Sequence, residues 1–404
     1  MIPKITQIPN RPRMIHLRDW TQVALHFDRL VFSDDYVAPF FPLLWWDDEN
    51  RNQRGRMFGL PSYVGAVAGG GRHEAINCVA AVLGATLVGV DKRHDRATNW
   101  VRMLEGYFQS ESRLFLNRTN GMAGQSFWYD VYPHILLYAL SAYYPQERGI
   151  AAIVEVTAAR WLEAAESLMG ADVSLACEIT AFDFQHMRGV ANGKWIEPDG
   201  LAGMAWLLFI QGSRSGNARY LAMAVALLRR LVQQATNPLY ELLLPFGAYA
   251  AARANAEGRA NLDVERLVNW CFAGDSVARP GWGVLTGIWG GHECHGLVGS
   301  ETDWGQRWDQ FPDVNATDER RPESGYAFAA NTFAFAFPLV ALVRYDPRFA
   351  HDIAKWMLHV AVNARLFYPG TWPARQQSCA FFRSDPGDVI AYEGLRKQWD
   401  GQSP

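Results

Sequence analysis

Five long apolar helical segments, each preceded by a loop rich in Gly, Trp and acidic residues, constrain the fold of this chain most strongly. They cover residues 73–90, 126–143, 200–212, 238–256 and 323–345. Each is followed by a second helical segment that carries polar side chains along one face. A helix that is apolar all round is buried, whereas a helix with a polar stripe faces water. The pattern predicts an inner set of helices surrounded by an outer set.

Helix-capping signals predict where the outer partners lie. Asp95 is the expected N-cap of a helix that runs to about Tyr107, and Asn261 that of a short helix ending near Gly274. The other outer helices are expected at about 145–170, 218–235 and 347–366. A sixth pair is expected from residues 18–32 and 388–399. Strand signals are weak throughout, so the sequence predicts an all-α protein.

The bulk composition is that of an ordinary globular protein. With a net charge of −3 among 404 residues, nothing favours nucleic acid or a membrane as partner. The five cysteines are scattered and odd in number, which gives no disulfide framework. No Ser-, Gly- or Pro-rich spacer divides the chain, so one domain over residues 1–404 is expected. The first residues lack a signal-peptide pattern, which favours a cytoplasmic protein, or a secreted or periplasmic one if a signal was removed.

Three segments give the chain a resemblance to a known group of enzymes. Residues 195–206 followed by 219–221, residues 325–333 and residues 345–350 resemble the repeating units of six-hairpin (α/α) toroid enzymes. That superfamily contains many glycoside hydrolases and several polysaccharide lyases. The resemblance implies an (α/α)6-type toroid with long loops at one end and an oligo- or polysaccharide substrate. It implies no particular mechanism, because one fold hosts many reactions.

Glycoside hydrolysis, the first choice, needs one protonated and one ionised carboxyl group across the scissile bond. In a toroid the loops that lead into the inner helices share one end, so acids from different loops can converge. The wider set of such acids includes Asp47, Asp48, Glu197, Asp199 and Glu293. The acid/base candidates that we favour are Asp130, Asp183, Glu301, Asp303 and Glu323. No cofactor is expected.

The glycine-rich loop at residues 289–304 concentrates polar groups between tryptophans. His292 and His295 could support acid–base catalysis, with a nearby carboxylate orienting one of them. Their spacing matches no common zinc pattern, so no metal site is predicted. The structural alternative is a loop held together by histidine–backbone hydrogen bonds.

The segment at residues 178–189 favours the runner-up, a polysaccharide lyase acting on a uronic-acid glycan. Arg188 or Gln185 would neutralise the sugar carboxylate, while His186, Tyr129 or Tyr326 would abstract the C5 proton. The structural alternative is an irregular loop whose phenylalanines pack inward.

Tryptophans in the loops suit sugar binding, because an aromatic face matches the apolar C–H face of a pyranose ring. The candidates are Trp45, Trp46, Trp128, Trp195, Trp289 and Trp304. A third hypothesis follows from them, a glycan-binding toroid without catalysis. Such a protein would keep the tryptophans but lack two carboxyl groups at a catalytic separation.

Overall fold

The computed structural model describes residues 1–37, 41–48, 56–61, 73–119, 121, 123–170, 178–301, 325–368, 370 and 390–397. Over these residues the fold is mostly α-helical with little sheet. In chain order the α-helices are α1 (Pro3–Thr6), α2 (Trp20–Val31), α3 (Ala75–Leu87), α4 (Trp100–Met103), α5 (Phe127–Ser141), α6 (Arg148–Gly170), α7 (Gly200–Ser215), α8 (Ala218–Val232), α9 (Leu244–Ala256), α10 (Val264–Ala273), α11 (Ala329–Leu342) and α12 (Ala350–Asn363). None of the helices in the described ranges is both long and apolar enough to cross a membrane.

The five apolar segments form α3, α5, α7, α9 and α11, as predicted, and each packs on the next one along the chain. Their close approach depends on small residues. A Cβ added to Gly203 of α7 would lie 2.5 Å from Val131 of α5, and one added to Gly247 of α9 would lie 2.6 Å from the Cβ of Ala202. The polar-striped helices pack on this series: α6 contacts α5 and α7, α8 contacts α7, α10 contacts α9, and α12 contacts α11.

Helix α2 connects the two ends of this series. It packs on α3, and Trp20 at its first position lies 6.3 Å from the ring of Phe333 in α11. The indole N–H of Trp20 also donates to the carbonyl oxygen of Ala361 in α12 at 3.1 Å. The N-terminal helix expected at residues 18–32 is therefore present and contacts both α3 and the α11–α12 pair.

Two predicted caps were wrong. Asn99 rather than Asp95 caps α4, and its side chain accepts from the backbone N–H of Arg102 at 2.9 Å. A 3₁₀ turn at Leu104–Tyr107 then continues α4. Asp263 rather than Asn261 caps α10. In both places the sequence offers two capping residues close together, and the later one caps the helix.

Short strands, which the sequence did not predict, lie between the helices. They are β1 (Trp45–Asp47), β2 (Met57–Gly59), β3 (Phe108–Gln109), β4 (Leu114–Phe115), β5 (Ala181–Asp183), β6 (Arg188–Val190), β7 (Trp282–Val284), β8 (Ile288–Trp289), β9 (His292–Glu293), β10 (Val298–Ser300), β11 (Tyr326–Phe328) and β12 (Gly394–Arg396). Four of them form an antiparallel sheet in the order β12-β11-β10-β7, and the others pair as hairpins. The C-terminal helix expected at 388–399 is wrong, because residues 394–396 form β12.

Aromatic side chains from four of the apolar helices meet at one ring. Phe246 of α9 lies 6.2 Å from Tyr132 of α5, 5.6 Å from Trp206 of α7 and 5.9 Å from Phe337 of α11. A single side chain therefore contacts three neighbouring helices, which places α5, α7, α9 and α11 around a shared interior.

Candidate functional site

Acidic side chains lie immediately before three of the apolar helices. Glu74 precedes α3, Glu197 and Asp199 precede α7, and Glu241 precedes α9. The N-terminus of a helix carries a partial positive charge from its unpaired N–H groups, which stabilises a nearby carboxylate. The local sequence of each loop thus gathers acids at the ends where helix dipoles favour them.

Glu241 links these groups electrostatically. Burial is the main reason that the pKa values of Asp199, Tyr129, Tyr240 and Glu393 are raised, and the charge of Glu241 raises all four further. The pKa of Tyr129 reaches about 12 and that of Asp199 about 7. Groups contributed by different loops therefore lie around one carboxylate.

A buried arginine holds Glu241 in place. The guanidinium of Arg279 pairs with the Glu241 carboxylate and lies 3.8 Å above the ring of Trp282. The indole N–H of Trp282 donates to the backbone oxygen of Glu241 at 3.2 Å. The side chain of Glu241 retains 17% of its exposure, so it is positioned by its neighbours and still reached by solvent.

Glu393 supplies a second carboxyl group in a different environment. Its backbone oxygen accepts from Ala329 N–H at the start of α11, and the pairing of β12 with β11 fixes its position. Burial raises the pKa of its half-buried carboxyl, Arg396 lowers it, and Glu241 raises it again. Groups whose environments differ in this way are the usual arrangement for an acid and a base acting together. We call Glu241 and Glu393 the carboxyl pair.

Glu197 and Asp199, in the loop before α7, are almost fully buried. Glu197 accepts hydrogen bonds from the Trp195 indole at 2.8 Å, the Trp128 backbone N–H at 2.8 Å and the Ser126 hydroxyl at 3.0 Å. Burial raises its pKa to about 8, although these three donors oppose the shift. Asp199 accepts from the backbone N–H of Leu243 at 3.3 Å. These two acids tie the loop before α7 to the starts of α5 and α9.

Asp130, one of the favoured acids, lies in the first turn of α5 and accepts from the backbone N–H of Gly124 at 2.8 Å. Burial raises the pKa of its carboxyl to about 7, against the opposing effect of that hydrogen bond. The side chain therefore anchors the loop before α5. No electrostatic link to Glu241 contributes to its pKa shift.

We expect Asp130→Asn to remove a pH dependence of stability. An asparagine can still accept from Gly124, but it never ionises. Because the folded-state pKa of Asp130 is raised above 3.8 to about 7, the wild type loses stability as pH rises through this window. The loss amounts to about 4 kcal/mol when Asp130 is fully ionised. Urea denaturation at pH about 4 and about 8 gives the free energy of unfolding of both proteins. Relative to the wild type, the variant should be more stable at the higher pH than at the lower.

Asp91→Asn is the matched control for this experiment. Its hydrogen bond with Arg93 lowers the pKa of Asp91 to about 2, so the difference between this variant and the wild type should stay constant from pH 4 to pH 8. A constant difference for Asp130→Asn as well would contradict the raised pKa of Asp130.

The segment predicted to neutralise a uronate forms a hairpin whose phenylalanines, Phe182 and Phe184, are buried while its turn is exposed. Asp183 at the end of β5 accepts from the backbone N–H groups of Gln185 and His186 at 2.9 and 3.1 Å. It also bonds the His186 ring at 2.7 Å, and these contacts lower its pKa. Gln185, His186 and Arg188 are exposed. Asp183 therefore stabilises a tight turn, and none of these four residues contributes to the pKa shifts around Glu241.

Hydrogen bonds within the histidine-rich loop hold it together. Glu301 accepts from the backbone N–H of Thr286 at 3.1 Å and from the indole of Trp289 at 3.3 Å, and Trp289 is buried. His292 pairs with Trp289 in the β8–β9 hairpin. Burial lowers the pKa of His295, whose ring lies 5.8 Å from that of His359. This arrangement resembles the structural alternative, in which hydrogen bonds hold the loop together, although the bonds named here are made by Glu301 rather than by a histidine.

Of the other aromatic candidates, two lie beside Glu197. Trp128 is half-buried beside Tyr129, with ring centres 4.8 Å apart, and Trp195 bonds Glu197. Trp46 instead stacks on Trp100 at 5.5 Å, and the guanidinium of Arg56 lies 4.2 Å above its ring.

Two further candidates lie within packed parts of the chain. Trp45 contacts the ring of His73 edge-on at 5.5 Å. Tyr326 is buried in the four-stranded sheet, with the guanidinium of Arg396 5.2 Å from its ring. Asp303, Trp304 and Glu323 lie outside the described residues.

Sequence reasoning missed Glu241, Glu393 and Tyr240. A signal for Glu241 was available, since it precedes an apolar helix just as Glu197 and Asp199 do. Glu393 offered no such signal, because the sequence predicts a helix at residues 388–399, which include it.

Across the described part of the chain, no group of three or more His, Cys, Asp or Glu side chains is arranged to hold a metal ion. Comparison with known proteins found no matching protein family, curated protein or solved structure.

Proposed function

We propose that this chain is a single-domain (α/α) toroid that hydrolyses a glycosidic bond with Glu241 and Glu393. The observation that carries the proposal is the electrostatic coupling of these two partly accessible carboxyl groups. One is ion-paired with Arg279, and the pKa of the other is raised by burial. Glycoside hydrolysis requires such a pair in opposite protonation states.

The helix contacts support a closed ring. Helices α3, α5, α7, α9 and α11 pack in series, and α2 contacts both α3 and α11. The five apolar helices would form most of the inner ring, α2 would close it between α11 and α3, and α4, α6, α8, α10 and α12 would lie outside it. The N-termini of the inner helices would then face the end that carries Glu241.

In this proposal each carboxyl group has one role. Glu393, whose pKa is raised by burial, donates a proton to the departing oxygen of the sugar. Glu241 acts as the carboxylate that either activates water or attacks the sugar carbon. Arg279 keeps Glu241 oriented, and the helix dipoles around the site stabilise negative charge as it develops on the reacting groups.

Aromatic groups around the carboxyl pair suit a sugar ring. Tyr129 is 48% exposed and packs against Trp128, and Tyr240 is half-buried beside Glu241. Aromatic faces of this kind bind the C–H faces of pyranoses, while their polar tips bond hydroxyl groups.

The elimination alternative has less support. Tyr326 is buried within the sheet, and burial raises the pKa of Tyr129 to about 12. Elimination needs a phenolate base at neutral pH, and neither a buried tyrosine nor one with a raised pKa suits that role. Arg188, His186 and Gln185 lie on the exposed part of the β5–β6 hairpin.

A panel of neutral and uronate-containing glycans would test the proposal, with reducing ends and absorbance near 235 nm read together. We expect new reducing ends without absorbance. Both signals together would establish elimination and overturn hydrolysis. Binding without either signal on every glycan would favour the non-catalytic glycan-binding alternative.

A further inference from the structure

Two buried histidines meet where the loop between β9 and β10 packs on α12. His295 lies in this loop and is 6% exposed, and His359 lies on the helix and is 0% exposed. Their ring centres are 5.8 Å apart, and the ring planes meet at 85°. Burying a polar ring costs free energy unless its nitrogens find partners, so the partners of the four ring nitrogens decide what this pair can do.

Hydrogen bonds on both sides of His359 fix the loop to the helix. The indole N–H of Trp356 donates to the carbonyl oxygen of Gly296 at 2.9 Å. The side-chain amide of Asn363 donates to the carbonyl oxygen of His295, also at 2.9 Å. A Cβ added to Gly296 would lie 3.1 Å from the Cβ of His359, so the glycine permits a close approach. The two rings are therefore held in a fixed relation by the backbone around them.

Each ring is held through the backbone and leaves its Nδ1 atom free. His359 Nε2 lies 2.8 Å from the carbonyl oxygen of Pro9. Because a carbonyl oxygen only accepts, Nε2 carries the proton and Nδ1 presents a lone pair. The ring of His295 makes a hydrogen bond with the backbone of Thr286. The Nδ1 atoms of both rings are buried and have no hydrogen-bond partner among the described residues. A histidine held by a backbone carbonyl in this way is the usual form of a metal ligand.

The charges around the pair also suit a cation. Burial lowers the pKa of both His295 and His359, so both rings are neutral at neutral pH, the form that binds a metal. The carboxylate of Glu293 acts on both rings and raises the pKa of each. Arg13 lies 3.4 Å from this carboxylate, but its side chain is 70% exposed, so solvent screens its charge. Glu293 would thus offset part of the charge of a bound ion.

The number and the geometry of the donors select the ion. Two nitrogens are available, and over the described ranges no third His, Cys, Asp or Glu joins them in an arrangement that could hold an ion. Two imidazoles on opposite sides of one ion, each about 2.0 Å from it, have ring centres about 6 Å apart, whereas a tetrahedral angle gives about 5 Å. The observed 5.8 Å is closer to the linear arrangement. Zinc usually takes four ligands, while Cu(I) is stable with two.

We propose that His295 and His359 bind one Cu(I) ion through their Nδ1 atoms. The ion would link the loop after β9 to α12, and through His359 it would stabilise the segment that carries Pro9. Pro9 itself is exposed, so a local opening of this segment would admit the ion. The site uses neither Glu241 nor Glu393 and goes beyond the proposed function. Sequence spacing gives no sign of it, because the two histidines are far apart in the chain.

Anaerobic titration of the full chain with Cu(I), in competition with the coloured chelator bicinchoninate, measures stoichiometry and affinity. We expect one ion per chain. His359→Gln places an amide near the position of Nε2, so it can still donate to Pro9, but it removes Nδ1. It should weaken binding by more than about 100-fold, because loss of a supporting hydrogen bond alone usually costs about 10–100-fold. His351→Gln, which changes an 87% exposed residue of the same helix, is the matched control and should bind like the wild type.

Further measurements keep the test decisive. Circular dichroism checks the fold of His359→Gln, and His295→Gln is a second variant that should lose the ion as well. X-ray absorption at the copper edge should show two nitrogen ligands, and a higher coordination number would overturn the two-coordinate site. Cu(I) should also raise the Tm of the wild type, whether or not any glycan is cleaved. No binding of Cu(I), equal binding by the wild type and both variants, or tighter binding of Zn²⁺ than of Cu(I) would each overturn the proposal.

Discussion

Glu241→Gln is expected to lower kcat by about 10²–10⁴-fold on the glycan that the panel identifies, the range that acid–base catalysis usually contributes. Glutamine keeps the size of the side chain but can neither accept a proton nor attack carbon. KM should change little, because Tyr129 and Tyr240, the aromatics proposed to bind the sugar, stay in place. Initial rates over a range of substrate concentrations give both constants.

Two variants make this result specific. Glu166→Gln removes an exposed acid that pairs with Arg219 on the surface, and its kcat should equal that of the wild type. Glu393→Gln should lower kcat as well and remove the alkaline limb of the pH profile, because the raised pKa of Glu393 sets where the proton donor is lost. Wild-type kcat in Glu241→Gln, with the fold intact, would exclude Glu241 from the reaction.

The five apolar helices could be predicted because their signal is local. Segments such as 201–210 are apolar on every side, and only a buried helix tolerates that composition. Their termini depend on tertiary contacts instead. Helix α3 begins at Ala75, whose N–H bonds to the carbonyl oxygen of Asn117. Pro245 falls in the first turn of α9, where its missing N–H costs no helical hydrogen bond, whereas Pro133 lies inside α5.

Of the carboxyl pair, Glu241 could be predicted from the sequence and Glu393 could not. Glu241 follows the rule that acids before inner helices converge, and its position ahead of α9 was visible in the sequence. Glu393 is brought to it by the pairing of β12 with β11, two strands of three residues each. Strands this short carry no periodic pattern, and their pairing partner is distant in the chain. The favoured acids Asp183 and Glu301 were chosen for their loops, but in the structure they stabilise a turn and a hairpin.

Lys92→Met is expected to lower the free energy of unfolding by about 3–5 kcal/mol, the usual cost of breaking a buried ion pair by removing one partner. Lys92 is fully buried, and its Nζ lies 2.9 Å from Asp28 Oδ1 and 2.5 Å from Asp95 Oδ2. The same ammonium group lies 3.5 Å from the ring centre of Phe32. Methionine fills similar volume but leaves the Asp28 carboxylate buried without its cation. Urea denaturation followed by circular dichroism measures the change.

The neighbouring residue supplies the control, since Arg93→Met removes an ion pair with Asp91 at 2.6 Å whose partners are 26% and 44% exposed. Exposed pairs contribute about 0–1 kcal/mol, so this variant should stay close to the wild type. A similar small cost for Lys92→Met would mean that the buried pair gives no net stability.

The Lys92→Met variant also tests ring closure, because Asp28 belongs to α2 and Lys92 follows α3. If α2 closes the ring, losing the ion pair between Lys92 and Asp28 should destabilise the whole chain. A single cooperative transition at a lower urea concentration is then expected. A separate early transition, with the remaining helices unfolding as in the wild type, would instead show that α2 is an appendage to the other helices.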